Sequence, residues 1–357
     1  MIKYIGSKRT LIPAILEVIG AFEGAGTVVD FFSGTSRVGH ALKRRGYRVH
    51  ANDWMTYAHT LGVCYVQADA GDVLDDAQKL INEFQRLPGE PGYFTETFCE
   101  RSRFFQPKNG ARVDAIREAI ERKDLGPELK AVVLVSLMEA ADRVDSTTGL
   151  QMAYLKQWAK RAHNDLELRL PAVLEQSAGG KCSAHQLESL DAADQLDGDV
   201  AYIDPPYNQH SYLGNYHAWE SLVRWDKPEV YGIACKRTDC RTRKSAFNSK
   251  RAATEHFKAF LSRVRCPNLV ISFNNEGYID QAEMESLLAE RGRFMTIEQD
   301  YKRYVGAQIG IHNLKGQVVG KVSHLRNKEF FYVVVPHDSP VDLEALRGRH
   351  EERLLFS

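Results

Sequence analysis

Four consecutive residues, Asp204-Pro205-Pro206-Tyr207, combine a carboxylate, two imide rings and a flat aromatic face. The prolines fix the loop and remove two backbone donors. The loop's carbonyls then have few local donors, so a ligand can supply them. Asp204 and the Pro205 carbonyl make a pair of acceptors, and Tyr207 sets a ring beside them. Two acceptors and a stacking face suit a planar group that bears an NH2. A Pro-Pro loop with a capping Asp is the plainer alternative. Against it, the tetrapeptide follows the apolar run 200–203 directly, and such a run reads as a buried strand. Open α/β sheets place ligands at the carboxyl ends of their parallel strands.

A second constellation lies upstream. Residues 27–32 form a β-branched and aromatic run, Ser33-Gly34-Thr35-Ser36 turns, and residues 37–45 read as a helix ended by Gly46. Residues 47–53 read as the next strand, which ends on Asp53, 19 residues after Gly34. Strand, glycine turn, helix, strand and acid is a nucleotide-binding arrangement. Gly34 permits a tight turn and close approach of a ligand, and a carboxylate at Asp53 can accept from ribose hydroxyls. The spelling is Gly34-x-Ser36-x-x-Gly39 rather than G-x-G-x-x-G, which argues against a pyrophosphate on the helix N-terminus. An ordinary β-α turn with an exposed Asp is the other reading.

Lys plus Arg and Asp plus Glu both number 47, so net charge points to no polyanion. Local charge does. Lys236, Arg237, Arg241, Arg243, Lys244, Lys250 and Arg251 face only Asp239 within their stretch, and phosphate neutralisation is the natural use of such a patch. A solvated loop is the alternative. Arg101, Arg103, Lys108, Arg112, Lys156, Lys160 and Arg161 are further candidates for phosphate or guanine contacts. Tyr212, Tyr216 and Trp219 are placed either to wall a bound base or to pack on the core. Glu139, Asp142 and Asp145 read as salt bridges and caps rather than a metal site.

The elements must hold these groups. A chain of 357 residues suggests two domains, or one core with a large insertion. With 43% apolar and 26% charged residues the composition is that of a globular protein and excludes a wholly disordered chain. No apolar run reaches the roughly 18 residues of a membrane span, and the first residues do not read as a signal peptide. Six cysteines without a C-x-x-C pair read as reduced thiols of a cytosolic protein. The twelve histidines lack metal-ligand spacing. Strands at 200–204 and 268–273, a helix at 281–291 and a closing strand pair at 317–322 and 329–335 predict a doubly wound α/β core formed by 1–55 and 181–357. Between them, 56–180 reads as a helical insert, with helices at 128–142 and 152–170 and a Pro/Gly loop at 88–92.

Taken together these motifs resemble a Dam-like adenine-specific DNA methyltransferase. Lys3-Tyr4-Ile5-Gly6-Ser7-Lys8 resembles the family's segment at the methionine part of S-adenosylmethionine. Asp30-Phe31-Phe32-Ser33-Gly34-Thr35 resembles its glycine motif, Asn52-Asp53 its ribose-binding acid, and Asp204-Pro205-Pro206-Tyr207 its catalytic motif. Ser272-Phe273-Asn274-Asn275-Glu276-Gly277 resembles a later strand end. Cofactor motifs first and catalytic motif last is the α-type order. The resemblance implies a Rossmann-like sheet and S-adenosylmethionine held by Tyr4, Lys8, Asp30, Phe32, Ser33, Gly34, Thr35, Asp53 and Gln186. It also implies methyl transfer to adenine N6 in a short duplex sequence, with the base flipped out. The 56–180 insert would recognise the target.

Asp204 and the Pro205 carbonyl would each accept an amino hydrogen and aim the lone pair at the methyl. Tyr207 would stack on the base. The resemblance further implies a monomer in a bacterial cytoplasm or of phage origin. With no apolar span no membrane is expected, and with no P-D…E-x-K nuclease pattern any restriction would need a separate protein. Ser36 departs from the family's second glycine, and the residue holding the cofactor's adenine is left open between His185 and Gln186, with Asp191 a poorer substitute. Cytosine N4 or RNA adenine as target, a nicotinamide dehydrogenase, and a silent DNA-binding module are the competing readings.

Overall fold

The computed structural model describes residues 1–152, 154–302, 311–312, 318–320 and 326–347. The strands are β1 (Thr27–Asp30), β2 (Arg48–Asn52), β3 (Ser183–His185), β4 (Val200–Ile203), β5 (Val230–Tyr231), β6 (Lys236–Arg237), β7 (Asn268–Asn274), β8 (Arg293–Lys302), β9 (Ile311–His312), β10 (Val318–Gly320) and β11 (Arg326–Val335). Seven of them form a mostly parallel sheet in the order β3-β2-β1-β4-β7-β11-β8. The strand order reverses at β1 and β4, the switch point where open α/β sheets bind ligands. The expected doubly wound core is therefore present, and its antiparallel member is β11, inserted between β7 and β8.

The chain divides into two compact units. One comprises residues 8–31, 190–209 and 246–357. Here β1, β4 and β7 run parallel, with Asp30 opposite Tyr202 and Ile203 opposite Ile271. All four residues of β4 are buried, as are Leu269 to Asn274 of β7, because both sheet faces are covered. The pairing of β11 differs from the expected closing pair. Its partners are β7 and β8, with Glu329 opposite Asn274 and Phe331 opposite Ile297. β10 pairs instead with β9, and residues 317 and 321–322 of the expected strand lie outside the described ones. β8 escaped the sequence reading because Arg293-Phe294-Met295-Thr296-Ile297-Glu298 alternates weakly beside the stronger Val-rich run of β11.

The other unit comprises residues 1–7, 32–189 and 210–245 and carries the β2–β3 pair with most of the long helices. Pro107 and Pro127 open the helices Pro107–Glu121 and Pro127–Arg143, where a missing amide hydrogen is harmless. Phe94, Phe98, Phe104, Phe105 and Trp219 pack ring to ring in its core. The helix expected at 152–170 is absent among the described residues of that stretch. The chain makes only a 3-10 turn at Lys160–His163. Its backbone is satisfied by tertiary partners instead. Asn109 donates to the Asn164 carbonyl, Lys108 to that of His163, and the Leu168 amide donates to Gln85. These long-range bonds override the local helical propensity.

Gly292 enters β8 where a Cβ would stand 2.0 Å from the Val335 carbonyl oxygen of β11. That neighbour is backbone inside a sheet and cannot rotate away. Gly292→Ala is expected to destabilise the protein by about 2–3 kcal/mol, as overpacking does, measured as a lowered urea midpoint with unchanged slope.

Candidate active site

In the unit that contains β4, the Asp204 loop leaves the carboxyl end of that strand beside the end of β1, where Asp30 is 1% exposed. The Asp204 carboxyl is not alone. The ammonium of Lys8, from the 3-10 turn Lys8–Thr10, lies 3.0 Å from Asp204 Oδ1 and 2.5 Å from Glu329 Oε1 on β11. Ser272 of β7 donates its hydroxyl to the same Glu329 oxygen. Lys8 and Glu329 side chains are 8% and 1% exposed, while that of Asp204 is 19% exposed. Burial raises the Asp204 carboxyl to about 6; Lys8 counteracts this and Glu329 adds to it. Burial would lower Lys8, but Asp204 and Glu329 more than offset it and hold the ammonium well above its ordinary value. Tyr202, on β4 just before Asp204, buries a hydroxyl that finds no hydrogen-bond partner among the described residues.

The rest of the loop is braced. Pro205 is buried and Pro206 half-buried. The Tyr207 ring meets Phe273 edge-on at 5.6 Å, and its carbonyl accepts from the Tyr278 amide at 2.8 Å. Asn248 donates to the Asn208 carbonyl at 2.6 Å. One side of the Tyr207 ring system is thus fixed by its own unit.

The glycine turn and Asp53 lie in the other unit. Asp53 Oδ2 accepts from the Gly34 amide and Oδ1 from the Met55 amide, both at 2.9 Å. Each oxygen keeps one acceptor position for a hydroxyl. Burial raises this carboxyl to about 6, against the pull of those two amides. Gly34 has φ +50°, and a Cβ there would stand 3.2 Å from the Tyr4 ring. Tyr4 stacks on Tyr212 at 5.3 Å and Tyr216 at 4.7 Å, and its hydroxyl lies 3.3 Å from that of Tyr57. Ser33 and Thr35 are buried and Phe32 is half-buried; the Ser33 amide donates to Asn52 at 2.9 Å. Ser36 adopts φ +58°, the left-handed backbone that favours glycine, so the serine sits where the expected second glycine would be unstrained. Gln186 is exposed and donates to Thr56 Oγ1 at 3.0 Å. Tyr216 and Trp219, at 1% exposure, pack in the core rather than presenting a wall.

Lys8 is thus brought to Asp204 and Glu329 within its own unit. Glu329 lies outside every motif of the sequence, whereas Ser272 opens the strand-end motif Ser272–Gly277. The available signal was one acid opening the otherwise apolar run Phe330 to Val335.

The basic stretch is less free than its composition suggests. Arg237 is 1% exposed and forms a bidentate pair with Asp226 at 2.7 Å, with Asp239 at 3.1 Å. Arg243 pairs with the buried Glu220 at 3.0 Å and lies over the Trp54 ring. Lys236 is half-buried. Arg241 is exposed and lies over Tyr231 at 4.1 Å; Lys244, Lys250 and Arg251 are exposed. Among the other candidates, Arg161 pairs with Asp145, Lys108 with Asp165, and Arg103 lies over Trp158, while Arg101, Lys156 and Lys160 are exposed. Asp142 and Asp145 take Lys3, so the acidic cluster is a set of ion pairs. The described residues contain no cluster suited to a metal ion.

An open α/β sheet with a loop of acceptors at the carboxyl end of β4 places a ligand site at the switch point of the sheet. The family model for D12 class N6 adenine-specific DNA methyltransferases matches residues 4–301. Type II methyltransferase M.NlaIII of Neisseria lactamica is 28% identical over 92% of this chain and 99% of its own length. Type II methyltransferase M.FokI of Planomicrobium okeanokoites is 30% identical over 85% of this chain but only 49% of its own. Type II methyltransferase M.CviAII of Paramecium bursaria Chlorella virus 1 is 27% identical over 85% and 92%. The chain thus spans about half of M.FokI and nearly all of M.NlaIII and M.CviAII. It belongs to the D12 class of N6 adenine-specific DNA methyltransferases. Methyltransferases of this kind use S-adenosylmethionine.

Asp53 gives a pH signature. Its folded value near 6 exceeds the ordinary 3.8, so between these values the native state retains a proton that the unfolded chain has released. The stability due to this group is full below about pH 4 and is lost as pH rises through 6. The stability of the wild type relative to Asp53→Asn should therefore fall across pH 4–6, by on the order of 1–3 kcal/mol, read from urea midpoints of both proteins without cofactor.

Proposed function

We propose that this chain transfers a methyl group from S-adenosylmethionine to the N6 amine of adenine in a short duplex DNA sequence, the base being flipped into the Asp204-Pro205-Pro206-Tyr207 loop. The observation that carries this reading is the Asp204 carboxylate at the end of β4, one oxygen engaged by Lys8. The other oxygen and the Pro205 carbonyl are then the acceptors for the two amino hydrogens. Accepting both draws the nitrogen towards tetrahedral geometry and aims its lone pair, and the carboxylate stabilises the ammonium-like transition state. Tyr207, braced on Phe273, supplies the stacking face.

The cofactor supplies the electrophilic methyl. The residues fit it: Asp53 keeps acceptor positions for ribose hydroxyls, and Gly34 leaves the space a Cβ would fill. Tyr4, Asp30, Phe32, Ser33, Thr35 and Gln186 would complete the cofactor's surroundings. Lys8 is assigned to Asp204 rather than to the cofactor.

The segment 56–180 would read the target, and the exposed Arg241, Lys244, Lys250 and Arg251 would neutralise phosphate. Arg237 and Arg243 are structural in this reading. The protein would act as a cytoplasmic monomer, with cleavage of unmodified DNA left to a separate endonuclease; no helix among the described residues is long and apolar enough to cross a membrane.

Nucleoside analysis of treated duplex by mass should yield N6-methyladenine. N4-methylcytosine alone, or modification of RNA only, would refute the proposal. Asp204→Ala should lower single-turnover transfer by at least about a hundredfold, on the order of 3 kcal/mol, with cofactor and duplex titrations near those of the wild type. A loss traced to cofactor binding would remove Asp204 from the chemistry.

Arg241→Ala combined with Lys244→Ala should weaken cognate and non-cognate duplex alike. The salt slope should fall by roughly 0.9 for every phosphate that is no longer neutralised. Selective weakening on cognate duplex would make the segment a base reader.

A further inference from the structure

We infer that Glu329 is a positioning residue for methyl transfer, acting on Asp204 through the buried ammonium of Lys8. The inference rests on the function proposed for Asp204 and adds a residue outside every motif. Lys8 reaches Asp204 Oδ1 at 3.0 Å and Glu329 Oε1 at 2.5 Å, so one cation is shared by two carboxylates from different elements. Glu329 is itself fixed. It is 1% exposed, sits in the β7–β11 ladder opposite Asn274, and accepts from the Ser272 hydroxyl.

Two consequences follow for Asp204. Lys8 is anchored to one oxygen, so the carboxylate plane has a defined orientation and its other oxygen is the acceptor for an amine. Lys8 is also only partly available to neutralise Asp204, since Glu329 lies nearer to it. The cluster of two carboxylates and one ammonium carries a net negative charge, which favours positive charge developing on a substrate nitrogen. A lysine paired with Asp204 alone would blunt that acceptor.

The groups around Asp204 come from every neighbouring element. Lys8 from the N-terminal turn, Glu329 from β11 and Tyr202 from β4 face Asp204 itself; Asp30 at the end of β1 faces Tyr202, and Tyr207 of the same loop faces Lys8. Of these, Glu329 is the carboxylate that shares Lys8 with Asp204, and glutamine removes its charge at nearly the same volume. Without it, the full charge of Lys8 falls to Asp204.

The test compares wild type, Glu329→Gln and Glu329→Asp in single-turnover methylation over pH 5–9. It is paired with a carboxyl-carbon NMR titration of Asp204 in the free protein, assigned with Asp204→Asn. For Glu329→Gln we expect a rate lower by roughly tenfold on the alkaline plateau, and both the acid limb and the Asp204 midpoint lower by roughly 1 on the pH scale. Glu329→Asp keeps the charge one bond further back and should fall between. Cofactor and duplex titrations should stay at wild-type values.

An unmoved Asp204 midpoint overturns the inference whatever the activity. So does a loss of rate equal at every pH, which would mark Glu329 as merely structural. Should Glu329→Gln fail to fold, an unmoved limb and midpoint in Glu329→Asp has the same force. A wild type that leaves adenine unmodified would count against the proposed function, and the NMR titration would still decide the coupling of Glu329 to Asp204.

Discussion

One buried cation between two acids sets the terms for the unit built on β4. An ammonium in a protein interior costs several kcal/mol in lost hydration and persists only with close counter-charges. Lys8 has two, Asp204 and Glu329, and the second has its own donor in Ser272. Removing one acid would leave a different charge balance around the same lysine. The sheet is arranged to deliver these groups: β4 ends at Asp204, β7 brings Ser272, and β11 brings Glu329 from the antiparallel direction.

The other unit solves a different problem with neutral groups. Asp53 meets no cation at hydrogen-bond distance among the described residues, only the amides of Gly34 and Met55. Dipoles hold the carboxyl in place without neutralising it, so its charge is expensive until a ligand supplies more donors. The tyrosine stack on Tyr4 gives that turn a stiff, apolar floor, and Ser36 tolerates a strained backbone to complete it. Stiffness and incomplete satisfaction together are what a binding turn requires.

How much of this the sequence reveals depends on the range over which each interaction acts. Asp204 to Tyr207 and the Gly34–Asp53 pair are legible because their chemistry sits within a few residues of a strand end. The core strands β1, β4 and β7 are legible because burial on both faces leaves continuous apolar runs. Glu329 is not, since its meaning depends on Lys8, 321 residues away. Arg237 and Arg243 look free by composition because Asp226 and Glu220, which pair with them, fall outside the basic window. The 152–170 stretch reads as helix because its pattern is periodic, but Asn109, Lys108 and Gln85 pull it into an irregular path that no local rule contains. The role of 56–180 in reading a target stays a proposal, as do the assignments of individual site residues.

The distance between Lys8 and Glu329 along the chain also has a temporal meaning. During synthesis the lysine leaves the ribosome long before the strand that completes its ion pairs. Until β11 is made and slotted between β7 and β8, Lys8 and Asp204 lack their third member, and β7 lacks a neighbour on one edge. Pairings of such long sequence separation form late and slowly. A nascent chain that already contains every recognisable motif therefore still lacks the partner of Lys8 that β11 supplies.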